Sequence, residues 1–477
     1  MDGFWRLSAS QLLAGYARRD LSPVEALDEL LERIERLNPL LRAYLAVNDE
    51  DARRAAKTTE RVWRSPGEKP LLCGVPVSVK DTIEMQGLPT TYGSLAFRNN
   101  YQEDSEIVRR LRRAGAVIIG KTNTPEFALL AEVRNRLGEP GANPWNLDRT
   151  CGGSSGGAAA AVAAGLGQLA VGTDSGGSIR APAAYTGVFG LKPAYQRIPT
   201  VQRWRAAPGR SHNGPLARTV RDAALLMQAL AGFDSRDPES GLEPVTDFLD
   251  LDPTAIRGAR IAVSRGLGDA QVDPEAIRLL DEATDLLRDL GCEVFEDDPP
   301  FPSEGDELEP GVWGYAGDHY AAAESLKPGF WEHHADDLTD YARPIYEAGR
   351  RALAWQYRLL LRRNQTYREQ MTVWFRSYDF LLTPIAGTAP ALADRGKERA
   401  FPFLAPFNTA QNPAAAVPAG FHSNGLPLAI QIVGRRGDDL GVLRMSAAIE
   451  AVRPWAHRWP ALAEGKAELS EEGLSKE

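Results

Sequence analysis

The stretch GGSSGGAAAAVAAGLGQLAVGTDSGGSIR, from Gly152 to Arg180, decides how this chain is read. Two serine-bearing glycine nests, GGSSGG and SGGS, flank an alanine-rich run that predicts a helix after Gly157 and a β-type run from Leu169 to Gly172. Glycine opens left-handed backbone conformations and lets a substrate approach main-chain N–H groups, so a serine in such a nest can face a carbonyl that those amides polarise. On these letters alone, the alternative is two ordinary turns.

Moving outward, β-type runs at Val75 to Val79 and Ala116 to Ile119 enclose the arginine-rich helical pattern Ile107 to Arg113. That alternation predicts βαβ units, and the fold class is α/β. Further strands are predicted at Val188 to Leu191, Ile261 to Ser264, Phe380 to Leu382, Ala414 to Val417 and Leu428 to Val433. Ser22, Pro23 and Glu25 form an N-cap, N1 and N3 set ahead of Leu27, Leu30, Leu31, Ile34 and Leu37, which predicts a helix over 23–37. Thr219 and Asp222 mark another helix start, and helical patterns run over 275–289 and 348–376.

We read one domain over 1–463. It has a helical region at 1–65, a catalytic core at 66–231, and a segment at 232–377 rich in Pro, Asp, Trp and Tyr that shapes the substrate site. The core sheet resumes over 378–463, and an acidic tail follows at 464–477. No internal repeat of 20–50 residues is present.

Composition narrows the function classes. With 25% charged and 43% hydrophobic residues among 477, the chain can bury a large core. A net charge of −9 without any long basic block excludes a phosphate-tracking surface, so no direct nucleic-acid ligand is expected. Three cysteines without CxxC spacing suit a reducing compartment. No run of 18 uncharged apolar residues occurs and the start, MDGFWRLSASQLL, lacks a signal pattern, so a soluble cytoplasmic protein without membrane attachment is expected.

A serine nucleophile needs a base. His212, His319, His333, His334, His422 and His457 all lie outside the nests and read as surface or packing residues, and no G-x-S-x-G elbow is present. Lysine is the other candidate, if burial lowers its pKa. Lys80 ends the run GVPVSVKD, where the alternation carries its stem inward, although a lysine at a strand end is by itself usually solvated. A phosphate cradle is the reading from another class, but neither GxxxxGK[ST] nor a strand-linked GxGxxG occurs. Glu332, His333 and His334 lack ligand spacing, so neither metal nor cofactor is expected.

GVPVSVKD from Gly74, GKTNTPEFA from Gly120, NPWN from Asn143, GGSSGG from Gly152 and GTDSGGSIRAPAAYTGVFGLKP from Gly172 together resemble the amidase signature family. LLTP from Leu381, and APFNTAQNPAAAVPAGF from Ala405 through GLPLAIQIVGRRGDD, extend the likeness to about residue 450. The resemblance implies a large mixed sheet with helices on both faces and an amidohydrolase acting on a small-molecule amide. It also implies a Ser-cisSer-Lys triad: Lys80 as base, Ser154 as relay after a cis Gly153–Ser154 bond, and Ser178 as nucleophile. By the same resemblance the amides of Ser175, Gly176, Gly177 and Ser178 form the oxyanion hole, Asp174 and Arg180 pair to hold the SGGS turn, and Ser155 orients the cis turn. All three triad positions are filled, which counts against an inactive scaffold.

Departures from the family pattern are Cys151, where proline is frequent, Ala158, where a small polar or acidic residue is frequent, and Ser175, where threonine or isoleucine is usual. Cys151 reads as a small packing residue. The family's substrates range from small amides, anilides and peptide amides to fatty-acid amides and the glutamine used by one component of a tRNA-dependent amidotransferase. Pro125 precedes Glu126 where that component usually has aspartate, which favours a free-standing amidase. Trp313, Tyr315, Trp331, Tyr341 and Trp355 are candidates for an acyl pocket or for core. Quaternary structure, a homodimer included, stays open.

Overall fold

Eleven strands pair into one mixed sheet among the described residues. Across the sheet they run Tyr44–Val47, Val117–Thr122, Pro76–Lys80, Leu169–Asp174, His212–Ala217, Phe189–Lys192, Ala414–Phe421, Pro427–Gly434, Phe380–Pro384, Arg260–Val263 and Glu293–Glu296. Pairing is parallel around Pro76–Lys80 and around Arg260–Val263, and antiparallel through the centre. The computed structural model describes residues 3–204, 207–241, 246–267, 270–300, 308–385, 387–389 and 401–466, the side chains of 308–314 and 401–402 excepted. Most of the acidic tail, from 467 onward, lies outside them.

The period-two alternation of the strands sorts side chains into two layers. Leu169, Val171, Val417, Ile430 and Ile432 face one layer, where they meet the helices Glu106–Arg113, Val220–Leu230, Pro274–Asp289 and Asp439–Val452. Ala170, Ala262, Ala414, Ala416 and Ala429 face the other. Alanine on this face lets the helices Gly156–Ala163 and Arg180–Thr186 lie close to the sheet, and these two helices follow the two serine nests. Every residue of Gly156–Ala163 is buried, as expected of a helix that is apolar all round.

The predicted elements are present, with shifted ends. Ser22 caps the helix Pro23–Leu41 by accepting from the amides of Val24 and Glu25, and Thr219 caps Val220–Leu230. The pattern over 348–376 divides into Ala342–Arg351 and Ala354–Trp374. The sequence reading omits the central strand His212–Ala217, because Gly214 and Pro215 look like a turn. Proline is tolerated there because the neighbouring strand pairs only with Leu216 and Ala217, leaving Pro215 opposite Val171 on one side alone. No helix among the described residues is long and apolar enough to cross a membrane.

Candidate active site

Lys80 is the last residue of a strand held between two parallel neighbours, so its side chain is enclosed by the sheet and carries no exposure. Its Nζ lies 2.6 Å from Ser154 Oγ and 2.8 Å from Thr173 Oγ1. Burial pushes the Lys80 pKa down to about 7, against the opposing attraction of Asp174. Two other lysines are fully buried among the described residues, and both are otherwise committed. Lys121 pairs with Asp81 at 3.3 Å, and Lys192 donates to the carbonyls of Asn412 and Pro193. Of the three, only Lys80 touches a serine of the nests.

Ser154 follows a cis peptide bond from Gly153 and is buried. Ser155 joins the two nests. Its amide donates to the Ser178 carbonyl at 3.0 Å, and its Oγ both donates to the Thr173 carbonyl and accepts from the Thr173 amide. A Cβ at Gly172 would stand 2.9 Å from Ser155 Oγ, so only glycine permits this contact. Ser178 is half-buried, and its Oγ makes no hydrogen bond among the described residues. The structure thus brings the segments of Lys80, Ser154 and Ser178 together, with a direct contact between the first two.

Asp174 and Arg180 form a two-pronged, fully buried ion pair, both contacts at 3.0 Å. Burial alone would raise the Asp174 pKa, but the Arg180 charge outweighs it and holds the carboxyl well below the usual range. Arg180 also donates to Gln431 Oε1, the Leu404 carbonyl and Asn408 Oδ1, while Asn408 returns a donor to Asp174. Every polar atom of this buried charge is thereby engaged. Removing one partner strands the other, so Arg180→Ala is expected to cost about 3–5 kcal/mol, read as a lowered urea midpoint.

Asp174 also accepts from the amides of Gly177 at 2.7 Å and Ile179 at 3.1 Å. The four amides expected to face an oxyanion are thereby in different states. The Gly177 amide is spent inside the turn, whereas those of Ser175, Gly176 and Ser178 meet no acceptor among the described residues. Gly177 has φ of +128°, and a Cβ there would press on Leu404 at 2.6 Å, which explains the glycine at this position.

Sequence reasoning missed Thr173, Asn408, Gln431 and His212. His212 is buried, its Nδ1 3.2 Å from the Asp174 carbonyl and 3.3 Å from Asn408 Nδ2. Gln431 carried a signal, a lone amide within LAIQIVG. Cys151 packs in the core, and burial pushes its thiol up to about 12.

The cleft beside the nests is lined by Thr173 and Ser175 together with Phe127, Trp204, Tyr315 and His319. Among the described residues, Tyr315 is the one member of the expected aromatic set found there. Trp355 is 63% exposed, Trp331 is packed against a buried aromatic cluster, and the Trp313 side chain lies outside the described residues. Tyr341 instead accepts from the Glu126 amide at 2.7 Å. The Glu126 carboxylate is buried and accepts from Ser94 Oγ and from both the amide and hydroxyl of Thr339.

A family model described as Amidase matches residues 25–443. The chain belongs to the amidase signature family. This amidase is 34% identical over 474 residues to an acylamidase of Rhodococcus erythropolis, covering 95% of this chain and 97% of the relative. It is also 34% identical over 483 residues to a glutamyl-tRNA(Gln) amidotransferase subunit of Gloeobacter violaceus, covering 96% and 98%. Among solved structures, a bacterial aryl acylamidase of the amidase signature family superposes with a TM-score of 0.89 at 30% identity, over 97% of this chain and 99% of that one. The peptide amidase of Stenotrophomonas maltophilia gives 0.82 at 26% identity, over 95% and 98%. The amidase is accordingly a hydrolase of carbon–nitrogen amide bonds on an α/β fold.

Proposed function

We propose that this amidase cleaves a small-molecule carboxylic amide through a Ser178 acyl-enzyme, with Lys80 as base and Ser154 as proton relay. The observation that carries this reading is the 2.6 Å contact between Ser154 and a lysine whose pKa burial brings to about 7. A neutral amine has two N–H donors and one lone pair. With one N–H given to Thr173 Oγ1, the lone pair is free to accept the Ser154 proton.

Ser154 then takes the proton of Ser178 as Ser178 attacks the carbonyl carbon, so no free alkoxide forms. The amides of Ser175, Gly176 and Ser178 receive the developing oxyanion, an interaction class worth about 2.7–4 kcal/mol per donor. Collapse expels the amine with the proton returned through Ser154, and water releases the carboxylate along the reverse path. Because the base must be neutral, kcat/KM is expected to rise with pH through about 7 and level off above it. A profile flat from pH 5 to 9 contradicts Lys80 as base.

For the biological substrate we favour a free-standing enzyme in a reducing cytoplasm, consistent with three buried free cysteines. The likeness to the amidotransferase component supports a second reading, in which this chain hydrolyses glutamine inside a larger complex. Pro125, ahead of the buried Glu126, favours the first. Gel filtration with a screen of short aliphatic amides, anilides, peptide amides and glutamine separates them. Isolation with two unrelated chains, and ammonia released from glutamine alone, overturns the free-standing reading.

A further inference from the structure

His319 lies on the helix Leu308–Leu326 and is 2% exposed, yet neither ring nitrogen has a hydrogen-bond partner among the described residues. It lines the cleft that also holds Thr173 and Ser175. Its surroundings are flat rings. The Tyr315 ring stands 4.4 Å away edge-on, and Trp204 lies 5.9 Å away and stacks on Phe127 at 5.2 Å with only 12° between planes. Burial pushes the His319 pKa down to about 3, so the imidazole is neutral at working pH and offers one N–H donor and one nitrogen acceptor.

A buried imidazole with both nitrogens unmatched is costly, because such groups are almost always paired in folded proteins. The other histidine in the core, His212, has a partner for Nδ1 in the Asp174 carbonyl. His212 leaves only Nε2 without a partner among the described residues, whereas His319 leaves both nitrogens, and His319 lines the cleft. We propose that His319 selects the substrate by hydrogen-bonding a polar substituent on an aromatic ring, and that the cleft takes an aryl-bearing amide with such a substituent. Phe127, Trp204 and Tyr315 line the cleft and give the aryl group an apolar wall. The imidazole supplies the one directional contact that distinguishes a hydroxylated ring from a bare one. This inference rests on the reading that the cleft beside Ser178 is the substrate site.

The test measures binding rather than turnover, so that it stands apart from the acyl-enzyme reading. Dissociation constants for Ser178→Ala protein are taken by calorimetry for benzamide and acetanilide and for the ortho-, meta- and para-hydroxy isomer of each. At least one hydroxy isomer is expected to bind about tenfold more tightly than its parent. That preference is expected to vanish when H319F is added and to survive with H319Q, which keeps a donor and an acceptor. No isomer preferred more than twofold by the Ser178→Ala protein, or a preference that H319F leaves intact, overturns the proposal. H319L provides the same comparison should H319F fail to fold. Failure of Ser178 to form an acyl-enzyme would leave these binding ratios unchanged, so the two readings fall separately.

Discussion

Ser178→Ala is expected to lower amide hydrolysis by at least about 10⁴-fold and to abolish covalent labelling by a fluorophosphonate. The loss is large because the hydroxyl is the atom that bonds to the carbonyl carbon, and no neighbouring group can take its place. The hydroxyls of Thr173 and Ser154 are both engaged by Lys80. The fold should survive, because Ser178 is tied in place by its carbonyl, which accepts from Ser155, and its half-buried Oγ anchors nothing among the described residues. An unchanged melting temperature with persistent labelling assigns the nucleophile to another residue.

Lys80→Ala is expected to reduce kcat on amides by at least about 10³-fold, and on activated esters by about tenfold less. An amine is a poor leaving group and must receive a proton as the tetrahedral intermediate collapses, and in the proposed path Ser154 supplies it from the proton held at Lys80. An activated ester leaves unaided and needs the base only for attack. Equal losses on both substrates argue that Lys80 supports the site without moving a proton. Lys80→Met keeps most of the buried apolar stem, so comparison with it separates lost packing from lost chemistry.

Much of the site was legible because its parts are local. The two nests, the Asp174 and Arg180 pair and the Ser155 bridge all fall within 29 consecutive positions, from Gly152 to Arg180, where spacing and glycine content speak directly. Lys80 needed the wider family pattern, since a strand-ending lysine is ordinary until a sheet closes over it. The residues that escaped are those whose roles come from the sheet order. Thr173 meets Lys80 because Leu169–Asp174 runs parallel beside Pro76–Lys80, with Val171 paired to Val79. Asn408 and Gln431 meet Arg180 across more than 220 positions, so no local pattern reveals them. The strand His212–Ala217 was hidden by Gly214 and Pro215, whose turn-like identity is overridden by pairing on a single side. The aromatic lining was legible only in part for a related reason. The rings that line the cleft come from Phe127, Tyr195 and Trp204 of the core as well as from Tyr315 and His319 of the 232–377 segment.

Glu126 gives the molecule a joint. Its buried carboxylate is grasped on one side by Ser94 and on the other by Thr339, while its amide holds Tyr341. The motif loop and the 232–377 segment are thus fastened at this buried carboxylate, and Arg134 to Asp340, Arg136 to the Asp336 carbonyl and Lys327 to the Ala96 carbonyl add polar contacts across the same seam. A segment transplanted from another enzyme would reshape the cleft without loosening the proton-transfer chain, provided that it brought its own threonine and tyrosine to this carboxylate. Exchange of that segment alters the part of the cleft wall that carries Tyr315 and His319, while Thr173, Ser175 and the proton-transfer residues stay on the core side of the clasp.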